Sequence, residues 1–484
     1  MKMSDPKRLH PIAAMINMLR QLKELIVPIL FFTVFGSRGN EIVFYYIAVG
    51  GGLVLVLLTG VLSWYRFTYR VEEGELRIEH GLFVRKKRYI PFERIQSLDI
   101  TEGILQRAFG LVKMKVETAG GSKTENAEAV LTAIKKEEAR QIHDFLVSVK
   151  NSKRRDEFEE EVIPISESII YRLSLGDLLL LASTSGGVGV VISAFVAFFF
   201  QFEEIIPHEK VYKEVEHFIA NGVIFVSIVV FLGFLLAWVI SVIGMMVKYA
   251  NFTLKKVDQD LIITRGLLEK RQMTIPLKRI QAIRISENVL RQPLGRGAVY
   301  IESAGGSALN EEGSKVLVLP LIKKQDIAKT LEPFLEDYPF RPKFNKLPPR
   351  ALSRYLVRGV VIVVPVAITV SYFFRPWGYI SLLFILPSLI WSALKYKDAG
   401  WAIEKDFLVL RYRTFVKNTV LMRKEKVQSL TARKSFYQKK KRLATIEAVV
   451  KSGHSGSGGR VKDLEDRDVN NMYQWFSRDA HHKK

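Results

Sequence analysis

The chain contains no cysteine in its 484 residues. This absence excludes disulfide bonds, thiolate metal sites, iron–sulfur ligation and cysteine nucleophiles. Histidine is scarce as well: the chain has eight, and no two of them have the H-E-x-x-H spacing of a zinc-binding helix. No Ser–His–Asp arrangement and no paired carboxylates stand out either. The sequence therefore predicts a protein that is not an enzyme and that needs neither a metal nor a cofactor.

Acidic residues are too few to balance the basic ones. The 49 Asp and Glu stand against 72 Lys and Arg, which gives a formal net charge of +23. Chains this basic usually bind nucleic acid or anionic lipid. Hydrophobic residues nevertheless make up 48% of the chain, and they are concentrated in long blocks. Because the cytoplasmic loops of membrane proteins collect Lys and Arg, the apolar blocks favour a membrane protein without a nucleic-acid partner.

The apolar blocks come in pairs: 22–36 with 42–64, 175–202 with 221–247, and 356–374 with 377–394. A helix needs about 20 apolar residues to cross a bilayer core about 30 Å thick. Buried core helices usually keep a polar face, whereas "GVIFVSIVVFLGFLLAWVISVIGMMV" has none. We therefore predict six transmembrane helices in three hairpins. The first block is short and contains Pro28, so a tilted span and a re-entrant helix both stay open for it.

The distribution of charge predicts the orientation of these spans. The turn between the third and fourth blocks, 203–220, is rich in glutamate, whereas residues 395–484 hold 22 Lys and Arg against 10 Asp and Glu. Positively charged segments stay on the cytoplasmic side. We therefore expect a multi-pass protein of the cell (plasma) membrane, with both termini and all three large charged segments in the cytoplasm.

The charged segments repeat one another. The stretch "IPFERIQSLDI" at 90–100 returns as "IPLKRIQAIRI" at 275–285, and a weaker echo, "LMRKEKVQSLT", follows at 421–431. The first two segments align without gaps at an offset of 185 residues, and the third joins at an offset of 332. The matched pairs include Phe67 with Phe252, Gly81 with Gly266, Pro91 with Pro276, Gln96 with Gln281, and Gly110 with Gly295.

Each repeat has the pattern of a small sheet closed by a helix. In "KMKVETAGG" the apolar Met114 and Val116 alternate with charged residues, and "ELRIEHGLF" alternates likewise before the turn at Gly81. Period two predicts half-buried strands. A helical pattern follows from residues 134, 322 and 464, and in the first copy Ile142, Phe145 and Leu146 form an apolar stripe. Short strands followed by one helix indicate an antiparallel sheet or partly open barrel that the helix covers.

The stretch "IPFERIQSLDITEGILQRAFGLVKMKVETAGG" resembles the bacterial pleckstrin-homology-like domain of the bPH type. The shared pattern is P-x-x-R-I-Q, then L-x-R or a relative, a Gly, and a strand that ends in A-G-G, and residues 275–306 repeat it. The resemblance implies a bent, seven-stranded barrel with a C-terminal helix. The expected fold is thus an α+β membrane protein, with each of three helix hairpins followed by one such domain.

The third repeat departs from this pattern. Arg423 stands where the first repeat has Pro91, Arg442 replaces Gly110, and Ser452 replaces Gly120. These differences leave open whether the third domain keeps the same strand ends and the same binding surface. The predicted division of the chain is 1–66 for a juxtamembrane helix and hairpin one, 67–150 for domain one, 151–251 for hairpin two, 252–338 for domain two, 339–398 for hairpin three, and 399–484 for the divergent domain three.

Two groups of residues are candidates for a binding surface. The first is the R-I-Q element, with Arg94, Gln96, Arg279 and Gln281. It is interpreted either as a ligand or partner surface or as a structural device, and we favour glutamines that satisfy backbone groups at the barrel mouth. The second group comprises the basic hairpins, whose candidate residues are Arg85, Lys86, Lys87, Arg88, Lys439, Lys440, Lys441 and Arg442.

The basic hairpins also allow two interpretations. In eukaryotic pleckstrin-homology domains, basic residues on an early hairpin hold inositol phosphates, so the resemblance implies contact with anionic phospholipid head groups. Arg and Lys suit phosphate through charge and, for Arg, through its fork geometry. The alternative is a solvated face that only follows the positive-inside rule. The sequence does not decide between them.

A proline and an amphipathic stretch precede each hairpin, in "LHPIAAMINMLRQLKELI", "VIPISESIIYRLSLGDLL" and "KLPPRALSRYLVRGVVIV". We predict that these stretches form helices that lie on the inner leaflet. The last span of each of the first two hairpins then leads straight into a strand, through "LSWYRF" and "VKYANF". A domain tethered so closely meets a weak ligand at a high effective concentration.

The function that these features predict is a membrane-anchored scaffold. Its three domains would present a surface to a partner protein or to anionic lipid, or would pair into a homo-oligomer through exposed sheet edges. Envelope homeostasis and tolerance to membrane-active peptides are roles of this kind, although no residue selects between them. The alternative function is a transporter or a component of a lipid-handling channel, but no charged residue lies well inside an apolar block.

Overall fold

The computed structural model describes residues 3–35, 42–72, 74–118, 129–157, 168–186, 193, 223–303, 315–452 and 456–477. The chain divides into two compact units, Met1–Pro276 and Leu277–Lys484. The acidic turn predicted at 203–220 lies outside the described residues.

The elements of the first repeat are β1 (Met3–Arg8), α1 (Ile12–Phe35), α2 (Ile42–Tyr65), β2 (Thr68–Glu72), β3 (Glu75–His80), β4 (Lys86–Pro91), β5 (Ile95–Glu102), α3 (Ile104–Ala108), β6 (Leu111–Thr118), β7 (Ala129–Lys135) and α4 (Lys136–Glu157). Those of the second are β8 (Ser168–Arg172), α5 (Leu175–Ser183), α6 (Val223–Tyr249), β9 (Thr253–Val257), β10 (Asp260–Arg265), β11 (Lys270–Pro276), β12 (Ile280–Glu287), β13 (Arg296–Ser303), β14 (Lys315–Lys323) and α7 (Asp326–Leu331). Those of the third are β15 (Asn345–Lys346), α8 (Leu352–Phe373), α9 (Ile385–Asp398), β16 (Gly400–Glu404), β17 (Phe407–Arg413), β18 (Lys417–Arg423), β19 (Val427–Arg433), α10 (Phe436–Lys440), β20 (Leu443–Val450), β21 (Ser457–Glu465) and α11 (Asp466–Phe476).

Every repeat follows one order: a strand, apolar helices, six more strands and a closing helix. Each described repeat thus has the seven strands that the resemblance implied. The strand that precedes the helices was not predicted, and it extends each sheet beyond the boundaries drawn at 67, 252 and 399. The chain therefore forms three repeated pleckstrin-homology-like sheet domains. In each domain the first strand precedes the apolar helices in the sequence, and the other six strands follow them.

The prediction of an interfacial helix was wrong for the second of the three stretches. The second stretch contains strand β8, which pairs antiparallel with β9, with Ser168 opposite Lys256. In the first stretch the helical residues belong to α1 itself, which runs unbroken from Ile12 to Phe35. The sheet gains from this because an added strand satisfies backbone donors and acceptors that an edge would leave exposed.

The core of the first domain lies between its two sheets. Tyr69 and Leu76 from one sheet and Met114 and Leu131 from the other are buried in one apolar cluster. Helix α4 closes it, with Phe145 packed edge-on against Phe92 at a ring separation of 4.9 Å. Ile142 and Leu146 of the predicted apolar stripe belong to the buried cluster, and Phe145 packs against it. The helix therefore covers apolar surface that the sheet alone would expose to water.

Strand pairing joins consecutive repeats. One seven-stranded sheet has the order β7-β6-β5-β11-β10-β9-β8, and the other has the order β14-β13-β12-β18-β17-β16-β15. In both, three strands of one repeat continue into four strands of the next. The two seams share one register, with Lys270 opposite Glu102 in the first and Lys417 opposite Glu287 in the second. Opposite charges at the same place in both seams favour this register over its neighbours.

The apolar helices contact one another in pairs. In the first pair, the Thr59 hydroxyl donates to Gln21 Oε1 at 3.1 Å. In the third, the Ser388 hydroxyl donates to the Gly359 carbonyl at 2.9 Å. A side chain at Gly359 would collide with Ser392, so glycine permits this close approach. Among the described residues, three helices are long and apolar enough to cross a membrane: Val230–Tyr249, Pro349–Phe373 and Trp377–Asp398.

The third repeat keeps the strand ends of the first despite its substitutions. Arg442 adopts φ 52°, in the left-handed region, and the glycines at the matched positions adopt 63° and 62°. Arg423 ends β18, as Pro91 ends β4. A side chain in the left-handed region costs roughly 1–2 kcal/mol, yet the backbone conformation is retained. The departures at these two positions therefore leave the strand ends unchanged.

Candidate lipid and partner surface

The β3–β4 hairpin carries the first basic group at a tight turn. Gly81 has φ 126°, and a Cβ there would lie 1.9 Å from the Val84 carbonyl oxygen, so only glycine fits. The exposed Arg85 forms an ion pair with Glu79, and Lys87 lies 3.7 Å from the same carboxylate. One glutamate thus meets two of the four basic side chains, and the hairpin keeps an excess of positive charge.

This positive charge acts on a neighbouring histidine. Burial lowers the pKa of His80 below its ordinary value, and the charges of Arg88 and Lys86 lower it further. A cation on the imidazole would be poorly solvated and would face two other cations. His80 therefore stays neutral near pH 7.

The R-I-Q element lies at the other end of β4. Arg94 is exposed at the end of a 3₁₀ turn, Phe92–Arg94. Gln96 follows on β5, and its side chain is outside the described part of the chain. Strand β4 has six residues, so at about 3.3 Å per residue its ends lie roughly 20 Å apart. The structure therefore does not bring the R-I-Q residues and the basic hairpin into one site.

In the second repeat the same element is largely buried. Gln281 is only 8% exposed, and its amide donates to the Arg279 carbonyl oxygen at 3.1 Å. Arg279 itself is half-buried at the end of the matching turn, Leu277–Arg279. The Gln281 amide thus binds backbone, which is the structural role that the sequence analysis favoured.

The basic group of the third repeat adjoins an apolar helix. The prediction of a hairpin at 439–442 was wrong, because Lys439 and Lys440 end the helix α10 and Lys441 follows as its C-cap. The Lys441 ammonium donates to Ser353 Oγ, 3.2 Å away in the first turn of α8. With Arg442 next in the chain, four consecutive cations lie beside the start of a candidate membrane span.

A buried carboxylate that the sequence analysis missed joins that span to the sheet. Asp463 on β21 is fully buried. It accepts hydrogen bonds from Arg354 Nε at 2.8 Å, from Arg358 Nη2 at 2.7 Å and from Gln438 Nε2 at 2.8 Å. Both arginines belong to α8. The end of the helix is therefore fixed to the third domain by charge-assisted hydrogen bonds away from water.

These contacts set the ionisation of the carboxyl group. Burial by itself raises the pKa of Asp463, but hydrogen bonds from Arg358, Gln438 and Arg354 outweigh it and hold the pKa below its ordinary value. Asp463 is therefore ionised at neutral pH and paired with two cations.

A second buried ion pair lies in repeat two, beside its seam with repeat three. Arg284 on β12 donates to Glu302 Oε1 of β13 at 2.7 Å. Its other nitrogens donate to the Tyr412 hydroxyl at 2.7 Å and to the Gly458 carbonyl at 2.7 Å. Burial lowers the pKa of Arg284, but Glu302 and Tyr412 raise it above its ordinary value. One guanidinium thus ties two strands of the second repeat to two of the third.

A pocket of about 230 Å³ lies beside the first seam, between the sheet and α4. Lys136, Arg140, His143 and Lys270 line it, together with Glu102. Because Glu102 already pairs with Lys136 at 2.7 Å, an anion that entered would meet a carboxylate as well as cations. Within the described residues, no group of three or more potential metal ligands is present.

These features define a class: a membrane protein with repeated pleckstrin-homology-like domains and apolar helices. The model of the bacterial PH domain matches residues 25–149, 195–336 and 359–480. Because the three matches cover most of the chain, the protein belongs to this family.

Two relatives in Bacillus subtilis (strain 168) are named as transmembrane proteins. The UPF0699 transmembrane protein YdbT is 39% identical over 490 residues, which cover 98% of this chain and 99% of that protein. The UPF0699 transmembrane protein YdbS is 28% identical over 96 residues, which are 20% of this chain and 57% of that protein. The similarity to YdbT agrees with the multi-repeat membrane architecture expected from the sequence.

Proposed function

We propose that the protein is a non-catalytic scaffold of the plasma membrane. In this proposal six membrane helices form three hairpins, and three cytoplasmic domains present a surface to partner proteins or anionic phospholipid. The observation that carries the proposal is the network around Asp463, because it fixes a domain to a candidate span through Arg354 and Arg358. Such a domain is held in one orientation at the membrane.

The short connections support the same proposal. Helix α2 ends at Tyr65 and β2 begins at Thr68, and α9 ends at Asp398 and β16 begins at Gly400. With one strand before the helices and the next directly after them, no flexible linker separates sheet from membrane. A ligand with weak affinity would then bind at a high effective concentration.

The basic groups are the proposed contact with anionic lipid. A Lys or Arg near an anionic surface contributes about 1 kcal/mol, so the cations at 85–88 and 439–442 suffice to orient domains that the helices already anchor. The exposed Arg94, at the other end of β4, would be left for a protein partner or a second copy. Such a scaffold would suit envelope homeostasis or tolerance to membrane-active peptides.

The topology of this scaffold can be tested because the chain has no cysteine. Single cysteines would be placed at Asn221, expected outside the cell, and at Ser122, Ser307 and Ser455, expected inside; all four positions lie outside the described residues. A membrane-impermeant maleimide should label Asn221→Cys in intact cells and the other three only after permeabilisation. Labelling of any of those three in intact cells would show that its domain is not cytoplasmic.

A further inference from the structure

Large apolar side chains are exposed at the same turn of all three domains. The turn between the third and fourth strands carries Phe83, Leu268 and Phe415 at positions that match by the repeat offsets. Their exposed fractions are 93%, 51% and 83%. Single exposed apolar residues are common, but an exposed apolar side chain at one position of three divergent repeats indicates a shared contact.

These turns lie against the ends of the apolar helices. In the first domain, Arg66, next to the end of α2, donates to the Leu82 carbonyl. In the second, the Leu267 amide donates to the Val247 carbonyl of α6 at 3.0 Å. In the third, the Phe415 ring lies 6.4 Å from the ring of Trp391 in α9. Each turn is thus positioned where a helix would leave the bilayer.

A second exposed set occupies the turn after the fifth strand of each domain, at Ile104, Val289 and Phe436. In the first and third domains this turn also adjoins apolar helices. The ring of Phe109, just after α3, lies 6.3 Å from His10, which precedes α1. Lys441, just after α10, binds Ser353 of α8 at 3.2 Å. In the first and third domains, both turns therefore lie beside the apolar helices of the same domain.

The opposite ends of the same strands carry polar turns. Strand β10 begins after Asp258 and Gln259, and β17 begins after Lys405 and Asp406. The turns at one end of the strands therefore carry apolar side chains, and basic residues follow them in the sequence. Phe83, for example, is followed by Arg85–Arg88. Apolar tips with flanking cations suit the boundary between lipid head groups and acyl chains.

We propose that these six side chains, Phe83, Leu268, Phe415, Ile104, Val289 and Phe436, insert into the inner leaflet around the protein's own helices. The ligand is the lipid surface itself, and the basic residues behind the tips contact its head groups. This inference rests on the proposed function in one respect, because it requires the apolar helices to span the bilayer. It adds that turns of the domains insert into the leaflet, beyond the attachment that the helices provide.

The test uses single cysteines at Phe83, Leu268 and Phe415, labelled with the fluorophore NBD, in the full-length protein reconstituted into phosphatidylcholine–phosphatidylglycerol vesicles. Gln259→Cys and Asp406→Cys, at the far ends of β10 and β17, are the matched controls. Lipids with a doxyl quencher near the head group should reduce tip fluorescence at least twofold and leave both controls unchanged. All five positions are in exposed turns, so the variants should fold alike.

A label at Leu236, which is exposed on the candidate span Val230–Tyr249, separates the possible failures. Deep doxyl quenchers should reduce its fluorescence. If Leu236 is quenched and the tips behave like Gln259 and Asp406, the insertion proposal is overturned while the span stands. If Leu236 is not quenched, the span and the insertion proposal both fall.

Discussion

Replacement of Asp463 by asparagine is expected to destabilise the third domain by about 3–5 kcal/mol, as removal of one partner from a buried ion pair does. The amide has the shape of the carboxylate, but its NH₂ group would face the donors of Arg354 or Arg358. Asparagine also tolerates the backbone at this position, where φ is 58°. The loss of stability therefore reports the removed charge and not a change of backbone conformation.

The measurement is denaturant unfolding of the full-length protein in detergent, beside Asp406→Asn as the control. Asp406 is exposed in the β16–β17 turn, and its replacement should change the free energy of unfolding by less than about 0.5 kcal/mol. Equal effects of the two substitutions would show that Asp463 does not hold the helix to the sheet.

The same carboxylate makes stability depend on pH in a known direction. Its folded pKa lies below the ordinary value of 3.8, so the unfolded chain takes up the proton first. The stability that the ionised Asp463 contributes is complete above the ordinary pKa. It is lost as pH falls from that pKa to the lower pKa of the folded state. The free energy of unfolding of the Asp463→Asn variant should lack this pH dependence between neutral and acid pH.

The second large effect is expected at the seam between repeats two and three. Glu302→Leu leaves the buried Arg284 without its carboxylate, and the cost should be about 3–5 kcal/mol. The double variant Arg284→Met/Glu302→Leu should recover most of that loss, because well-packed apolar residues can replace a buried ion pair. Unfolding of the two single variants and the double variant gives the coupling free energy directly.

Glu425→Gln is the matched control for this series. Glu425 is an exposed partner of Lys426 at 3.3 Å, and exposed pairs contribute about 0–1 kcal/mol. A double variant at 284 and 302 whose loss equals the sum of the two single losses would mean that the two side chains act independently. That result would show that Glu302 does not stabilise the Arg284 guanidinium, which contacts Tyr412 and Gly458 of the third repeat.

Much of the repeat could be predicted because its signals are local. Alternation at Leu76 and Ile78 corresponds to β3, and alternation at Met114 and Val116 corresponds to β6; all four side chains are buried. The side-chain period of a strand is read within a few residues. Because the first two repeats align at an offset of 185 residues, each strand predicted in the first also predicts a strand in the second.

The strands before the helices escaped prediction for an equally local reason. Strand β1 has the sequence "MSDPKR", which has no apolar alternation and contains a proline. It is a strand because β2 pairs with it, with Lys7 opposite Tyr69. The helices α1 and α2 separate these two strands in the sequence, so only the folded chain reveals the pairing.

The two basic groups were visible in the sequence as runs of charge, but the buried charged residues that join distant segments were not. Arg354 and Asp463 are 109 positions apart, and Arg284 and Tyr412 are 128 apart. No spacing rule for helices or strands connects residues at such separations. A lone buried aspartate between Lys462 and Leu464 reads as an ordinary surface charge until its partners are known.

The central claim is that consecutive domains share continuous sheets fixed to apolar helices. It is tested most directly by a cross-seam disulfide between Ser286→Cys on β12 and Asn418→Cys on β18, which are register partners with side chains 2.8 Å apart. Paired Cα atoms about 5 Å apart suit a disulfide. Mild oxidation should cross-link this pair in the purified protein, whereas Ser286→Cys with Thr419→Cys, whose side chains point to opposite faces, should stay reduced. Failure of the first pair to cross-link, or equal cross-linking of both, would contradict the shared sheet.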